Sequence, residues 1–298
     1  MSGVVPSPVR SALYVPGDRP EMLARAEQRG ADALILDLED AVAPARKEVA
    51  RATVVDWLAG LTHRPRPRVW VRVNPGAAGT ADLAALAGLP WDGVLLAKAE
   101  SARQVTEAYH LLGRGSHGPP PVLCPVLESP SAVAAAEEIA RAPGVARLHL
   151  GEADLCAELG VDPGPEGLEL LWIRSRLVLV CAAAGLAPPL APAFTDLADP
   201  ERLRATTRRF ARLGFRGRTC VHPAQVPVVN EVFTPDAEEV AEARALVRRF
   251  EEAGSGVLVD DRGRMVDEAV VRRARAVLRT AEVAGFSPED HPVAPAHP

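Results

Sequence analysis

Short apolar runs that lead into acidic residues recur along this 298-residue chain, and they constrain its fold more than any other feature. Ala33 to Leu36 leads into Asp37, Glu39 and Asp40; Val122 to Leu127 ends on Glu128; Leu148 to Leu150 is followed by Gly151 and Asp154. Near-continuous Val, Leu and Ile is what a parallel strand buried on both faces requires. Polar residues at the ends of such strands fall on the edge where α/β enzymes gather their chemistry. Eight runs are predicted as strands, at 12–15, 33–38, 69–73, 93–97, 122–127, 147–150, 190–194 and 219–222. Helical segments at 21–29, 47–61, 101–112, 131–140, 167–184 and 200–213 separate most of them, and the crossover at 81–87 is the weakest. This alternation implies a parallel α/β sheet. Eight repeats favour a closed (β/α)8 TIM barrel over an open doubly wound sheet, and no GxGxxG follows the first strand.

The pattern changes after the eighth strand. The barrel domain is placed at 10–233 and a C-terminal extension at 234–285. The extension reads as a charged helix at 236–253, a break at Gly254 and Gly256, a strand at 257–259, a turn at 260–263 and a last helix at 268–284. Such an appendage serves as a lid, an oligomer contact or a cap. A tail at 286–298 and residues 1–9 are expected to be disordered. Aromatic residues are only 4% of the chain, so its core must be built from Leu, Val and Ala. A net charge of −5 with dispersed arginines leaves no nucleic-acid footprint. No apolar stretch approaches a membrane span and no signal core opens the chain, so a cytoplasmic protein is expected. Cys124, Cys156, Cys181 and Cys220 form no CxxC pair, and Cys124 and Cys181 read as small buried thiols.

Several residues at the presumed catalytic edge admit two readings each. Glu128 and Asp154 end consecutive predicted strands, the fifth and sixth; they are either a Mg²⁺ pair or two surface acids. Glu152 is a third acid nearby, and Gly151 would let a ligand approach the backbone. Arg72 shares a strand face with Asn74, and its fork suits a substrate carboxylate or a salt bridge to Asp37 or Glu39. Lys98 is a Schiff-base nucleophile or, more simply, an ion-pair partner of Glu39 or Glu100. His222 ends the eighth strand, where a lone His is more often structural. Asp267 fits the N-cap of the last helix.

Taken together, the segments at 10–17, 30–42, 71–74, 127–128, 151–154, 214–215, 221–223 and 265–267 resemble the citrate lyase β-subunit-like CoA-ester lyases of the HpcH/HpaI aldolase superfamily. The resemblance runs in order over about residues 10 to 284. It implies a (β/α)8 barrel with a C-terminal extension, assembled as a homotrimer or hexamer. It implies Mg²⁺ on Glu128 and Asp154, and Arg72 on the carboxylate or keto oxygen of the substrate, near Gly151. It also implies CoA contacts at Tyr14, Val221 and His222, with Arg25 a weaker candidate. Asp37 and Glu39 match an acidic cluster that orients Arg72 and nearby water. Asp267 matches an Asp that reaches into a neighbouring subunit's site. Two positions depart from the family: Ala153 stands where Glu often precedes the metal-binding Asp, and Ser129 follows Glu128 where Thr is common. The implied activity is Mg²⁺-dependent cleavage or formation of a 3-hydroxyacyl-CoA thioester to and from an acyl-CoA and a short keto acid. The alternatives are a citryl-acyl-carrier-protein lyase subunit working with α and acyl-carrier partners, and a non-catalytic barrel that binds CoA or a keto acid.

Overall fold

In the computed structural model, residues 8–61, 67–113, 121–254, 256–259 and 263–286 are described. Seven strands form one parallel sheet: β1 (Ser11–Pro16), β2 (Ala33–Asp37), β3 (Arg68–Val73), β4 (Gly93–Leu96), β5 (Val122–Leu127), β6 (His149–Leu150) and β7 (Arg218–Cys220). Their order in the sheet is β6-β5-β4-β3-β2-β1-β7. The apolar runs do what their composition demands: Ala33 to Leu36 are all fully buried, as are Val69, Val71, Val94, Leu95 and Leu123.

Register decides which side chains share the inner face. Tyr14 lies beside Ile35 and Pro16 beside Asp37; Asp37 lies beside Arg72, and Val126 beside His149. With the two-residue period of a strand, Tyr14, Asp37, Arg72, Val126, Glu128 and His149 therefore point the same way.

Closure into eight strands is not seen among the described residues. The predicted seventh strand at 190–194 is a single bridge, Ala191 to Arg218. Ala187 N–H donates to the Ala146 carbonyl (2.9 Å) at one sheet edge; at the other, Ala191 N–H donates to the Gly217 carbonyl (2.8 Å) and the Ala191 carbonyl accepts the Thr219 N–H (3.0 Å), so the pairing with β7 is cut to a single bridge. Pro188, Pro189 and Pro192 explain this, since each removes a ladder donor. The fold is thus a curled, TIM-barrel-like parallel α/β sheet with its helices. The sixth strand is also trimmed, and a helix that the sequence reading lacked, Glu152–Leu159, follows it. The weak third crossover is a full helix, Gly76–Leu86.

The described residues divide into two compact units, one of 10–230 and one of 231–286 with Pro8 and Val9. In the smaller unit, the helix Ala237–Ala253 opens on a capping box of Asp236 and Glu239. A hairpin of β8 (Val257–Val259) and β9 (Met265–Asp267) follows, and then the helix Glu268–Val283. Arg275 ties the two helices to each other through Glu251 (3.2 Å) and also bonds Glu268 (3.0 Å). Of the N-terminal residues expected to be loose, Val9 is buried and 1–7 lie outside the described residues, as does the tail from 287. No helix among the described residues is long and apolar enough to cross a membrane. Cys124, Cys181 and Cys220 are buried free thiols, and burial pushes the Cys124 thiol up to about 12.

Candidate active site

At the C-terminal ends of the strands lies a cavity of about 490 Å³, within the range of small-molecule sites. Tyr14, Asp37, Arg72, Glu128, Gly151, Asp154 and Val221 all line it.

One wall is an acid–arginine cluster at the ends of β2 and β3. Arg72 donates from Nε to Asp37 Oδ1 (2.7 Å) and from Nη2 to Asp37 Oδ2 (2.6 Å), a bidentate fork. Its Nη1 pairs with Glu39 Oε2 at 3.0 Å. Asp37 has no exposure, and its oxygens also accept the N–H groups of Glu39 and Ala41, both at 3.0 Å. The loop is fixed from outside by Lys47, whose Nζ donates to the carbonyls of Leu38 (2.8 Å) and Glu39 (2.6 Å). Burial opposes the charge on Arg72, but the hydrogen bonds and charge of Asp37, helped by Tyr14 and Glu39, more than offset it and keep the guanidinium ionised. The guanidinium stands 4.9 Å over the Tyr14 ring, and burial lifts that phenol's pKa far above its usual value. Arg72 is thus held in the salt bridge that one reading of its sequence position expects, and it lines the cavity. Asn74, on the same face, is spent elsewhere: its N–H and Nδ2 donate to Asp82 Oδ2, and Arg51 holds the other Asp82 oxygen.

The opposite wall is the acid pair. Glu128 follows β5 and is buried, and its Oε1 accepts the Lys98 N–H at 3.1 Å. Asp154 does not end a strand as its sequence position suggests; it sits in the first turn of the helix Glu152–Leu159 and is half exposed. Gly151 makes the approach of the two acids workable. A Cβ there would lie 2.5 Å from Glu128 Cγ, so any side chain would drive into the carboxylate. Burial, then a hydrogen bond with Asp154, pushes the Glu128 carboxyl up to about 7; the nearby charges of Glu39 and Asp154 add to this, and the Lys98 N–H opposes it. Two carboxylates this close are uncomfortable without a proton or cation between them. Among the described residues no three Asp, Glu, His or Cys side chains gather to hold a metal. The third acid, Glu152, is taken: Arg174 binds it bidentately at 2.6 and 2.7 Å. That pairing spans 22 residues and has no local sequence signal.

Lys98 stands between the two walls, with Nζ 3.5 Å from Glu39 and 3.7 Å from Asp154. Burial works against its charge, but Glu39, Asp154, Asp40 and Glu128 outweigh it and raise its pKa. A Schiff-base lysine needs the opposite shift, so the pair with Glu39 is the reading the geometry supports. Ser129 accepts the Ala132 N–H as a helix cap and donates to Glu100. His149, one layer below Glu128, lines the cavity as well; burial and then Arg147 lower its pKa to about 3, so it stays neutral.

Two candidates of the larger unit lie apart from this cluster. Arg25 is exposed in the turn between Pro20–Leu23 and Ala26–Arg29 and does not line the cavity. His222 is exposed, and its Nδ1 accepts the Ala224 N–H in the turn after β7. Asp267 belongs to the other unit. Its Oδ1 accepts the Ala269 (2.9 Å) and Val270 (3.1 Å) N–H groups, the N-cap its sequence position predicts.

Comparison with known proteins settles the family. The HpcH/HpaI aldolase/citrate lyase family model matches residues 10–223. The chain belongs to that family. It is 34% identical to a citrate lyase subunit beta-like protein of Deinococcus radiodurans, over 92% of this chain and 97% of that one. It is 33% identical to an L-malyl-CoA/beta-methylmalyl-CoA lyase of Cereibacter sphaeroides, over 93% and 95%. A (3S)-malyl-CoA thioesterase of the same species is 35% identical, over 94% and 97%. Among solved structures, CitE of Mycobacterium tuberculosis in complex with magnesium, acetoacetate and coenzyme A superposes with a TM-score of 0.74 at 33% identity, covering 94% of this chain and all of that one.

Proposed function

We propose that this chain is a Mg²⁺-dependent carbon–carbon lyase that cleaves or forms a 3-hydroxyacyl-CoA thioester of the malyl-, citramalyl- or citryl-CoA kind by a retro-Claisen route. The observation that carries this reading is the acid pair, Glu128 and Asp154, facing a fixed Arg72 across one cavity. The donor set fits Mg²⁺, which takes one or two protein carboxylates and fills its other positions with water and substrate oxygens. The raised proton affinity of Glu128 expresses the same need for a positive partner. Two of the relatives support it: an L-malyl-CoA/beta-methylmalyl-CoA lyase, and a citrate lyase beta subunit from Mycobacterium tuberculosis solved with oxaloacetate and magnesium.

Glu128 and Asp154 would hold the ion, which would supply Lewis-acid polarisation of substrate oxygens. Arg72, locked by Asp37 and Glu39, presents a charge that needs no reorganisation as negative charge grows on the substrate oxygens during cleavage. The bond between the carbinol carbon and the carbon next to the thioester breaks. The hydroxyl proton passes to solvent water in the open cavity as the keto acid forms, and the electron pair of the broken bond stays on the thioester enolate. Asp267, delivered by a neighbouring copy in a trimer or hexamer, protonates that enolate, and removes the same proton in condensation. Tyr14, Val221 and His222 contact the CoA moiety of the thioester, and Arg25 is a weaker candidate for the same contact. The cytoplasm, where acyl-CoA is abundant, is the compartment we assign. Similarity to a citrate lyase beta-like protein supports a second reading, a lyase subunit that uses an acyl-carrier partner and an α subunit.

Glu128→Ala and Asp154→Ala test the assignment, assayed on the thioesters at saturating Mg²⁺. Loss of turnover with the fold intact is expected; full turnover in Glu128→Ala would sink it.

A further inference from the structure

Among the described residues, one non-glycine residue sits on left-handed backbone: Lys98, at φ 50°. An L-residue is uncommon there and persists only where its surroundings over-determine it. Gln104 supplies that determination. Its Nε2 donates to the Lys98 carbonyl (3.4 Å) while its Oε1 accepts the Glu100 N–H (2.9 Å). On the next residue, the Ala99 N–H donates to the Val126 carbonyl at 3.2 Å. The turn points the Lys98 N–H at Glu128 and leaves the ammonium between Glu39 and Asp154. Glycine would meet the backbone requirement without strain. The backbone alone therefore gives no reason for a lysine, and the ammonium does.

We propose that the Lys98 ammonium is the resident cation of the metal-free site, bridging the Asp37–Glu39–Arg72 cluster to Asp154 and giving way when a divalent cation engages Glu128 and Asp154. This rests on the function proposed above. Three features suit the exchange. The ammonium's contacts, 3.5 and 3.7 Å, are longer than the 2.7–2.9 Å of a locked charge-assisted bond, so it is held by the field of the acids. The side chain is 44% exposed, so it can swing out on its four-carbon stem. Its backbone N–H stays on Glu128 whichever way the side chain turns. Lys98 is a positioning residue: it keeps Asp154 oriented before the metal arrives, and its charge sets how tightly the metal binds.

The test is Mn²⁺ binding to the full chain by electron paramagnetic resonance, for wild type, Lys98→Met, Lys98→Gly and Lys98→Arg, with metal-free melting curves alongside. Removing one positive charge a few ångströms from a dication should tighten Mn²⁺ about tenfold in Lys98→Met and Lys98→Gly. Lys98→Arg should restore the wild-type affinity, and Lys98→Gly should melt above Lys98→Met because its backbone strain is relieved. Unchanged or weaker Mn²⁺ binding in Lys98→Met, or failure of Lys98→Arg to restore the wild-type value, overturns the proposal while leaving the lyase reading standing. Absence of Mn²⁺ binding by the wild type overturns the reading of the site itself.

Discussion

A proton and a divalent cation compete for the same oxygens of Glu128, so pH sets the metal affinity of this site. Burial, then Asp154, raises the carboxyl from 4.5 to about 7 in the metal-free protein. Only the ionised form binds a cation. With a pKa of about 7 the ionised fraction is about a tenth at pH 6 and nearly complete at pH 8, so the Kd for Mn²⁺ should be about tenfold weaker at pH 6. The same shift carries a stability signature. Because the folded pKa lies above the unfolded one, the protonated carboxyl favours the fold. Its contribution is full below pH 4.5 and is lost as pH rises through about 7, with a ceiling of about 3 kcal/mol. Glu128→Gln freezes the neutral state. In EDTA at pH 8 it should melt several degrees above wild type, and it should bind no metal. Calorimetric titration at pH 6 and 8, with melting curves of both proteins, reads these quantities. Equal Mn²⁺ affinity at the two pH values, or Glu128→Gln melting below wild type at pH 8, would refute the reasoning.

Two further outcomes follow from the geometry. Gly151→Ala places a Cβ 2.5 Å from Glu128 Cγ and 2.9 Å from its Cδ, so the carboxylate must move; circular dichroism should stay unchanged while Mn²⁺ affinity and turnover fall about tenfold or more. Arg72→Met strands the fully buried Asp37 charge and should cost about 3–5 kcal/mol by urea unfolding. Adding Asp37→Asn should recover much of that stability but no turnover, because the charge facing the substrate is still missing.

Fold and site were legible in the sequence to different depths, and the reason is range. Strands buried on both faces advertise themselves through composition, so β1 to β5 fall almost where the apolar runs put them. The failures cluster where composition says little. Prolines beside Leu190 break a strand whose hydrophobicity looked adequate. The helix Glu152–Leu159 is only eight residues long, so Asp154 looked like a strand-end residue although it sits on a helix turn. A salt bridge of Arg72 to Asp37 or Glu39 is one of two readings that the charges at this edge leave open, and the sequence alone does not choose between them. Arg174 on Glu152 and the left-handed turn at Lys98 left no local mark. The N-cap at Asp267 was legible from its place before a helix. The catalytic role proposed for it, in a second copy of the chain, rests on family resemblance alone.

The central claim is carbon–carbon cleavage dependent on Mg²⁺. The most direct measurement supplies the purified chain with malyl-, citramalyl- and citryl-CoA, with Mg²⁺ or with EDTA, and follows both products by chromatography. The account predicts Mg²⁺-dependent release of glyoxylate, pyruvate or oxaloacetate together with a shortened acyl-CoA from at least one of them. Release of free CoA and the intact hydroxy acid, with no keto acid from any thioester, would contradict it and assign the site to thioester hydrolysis.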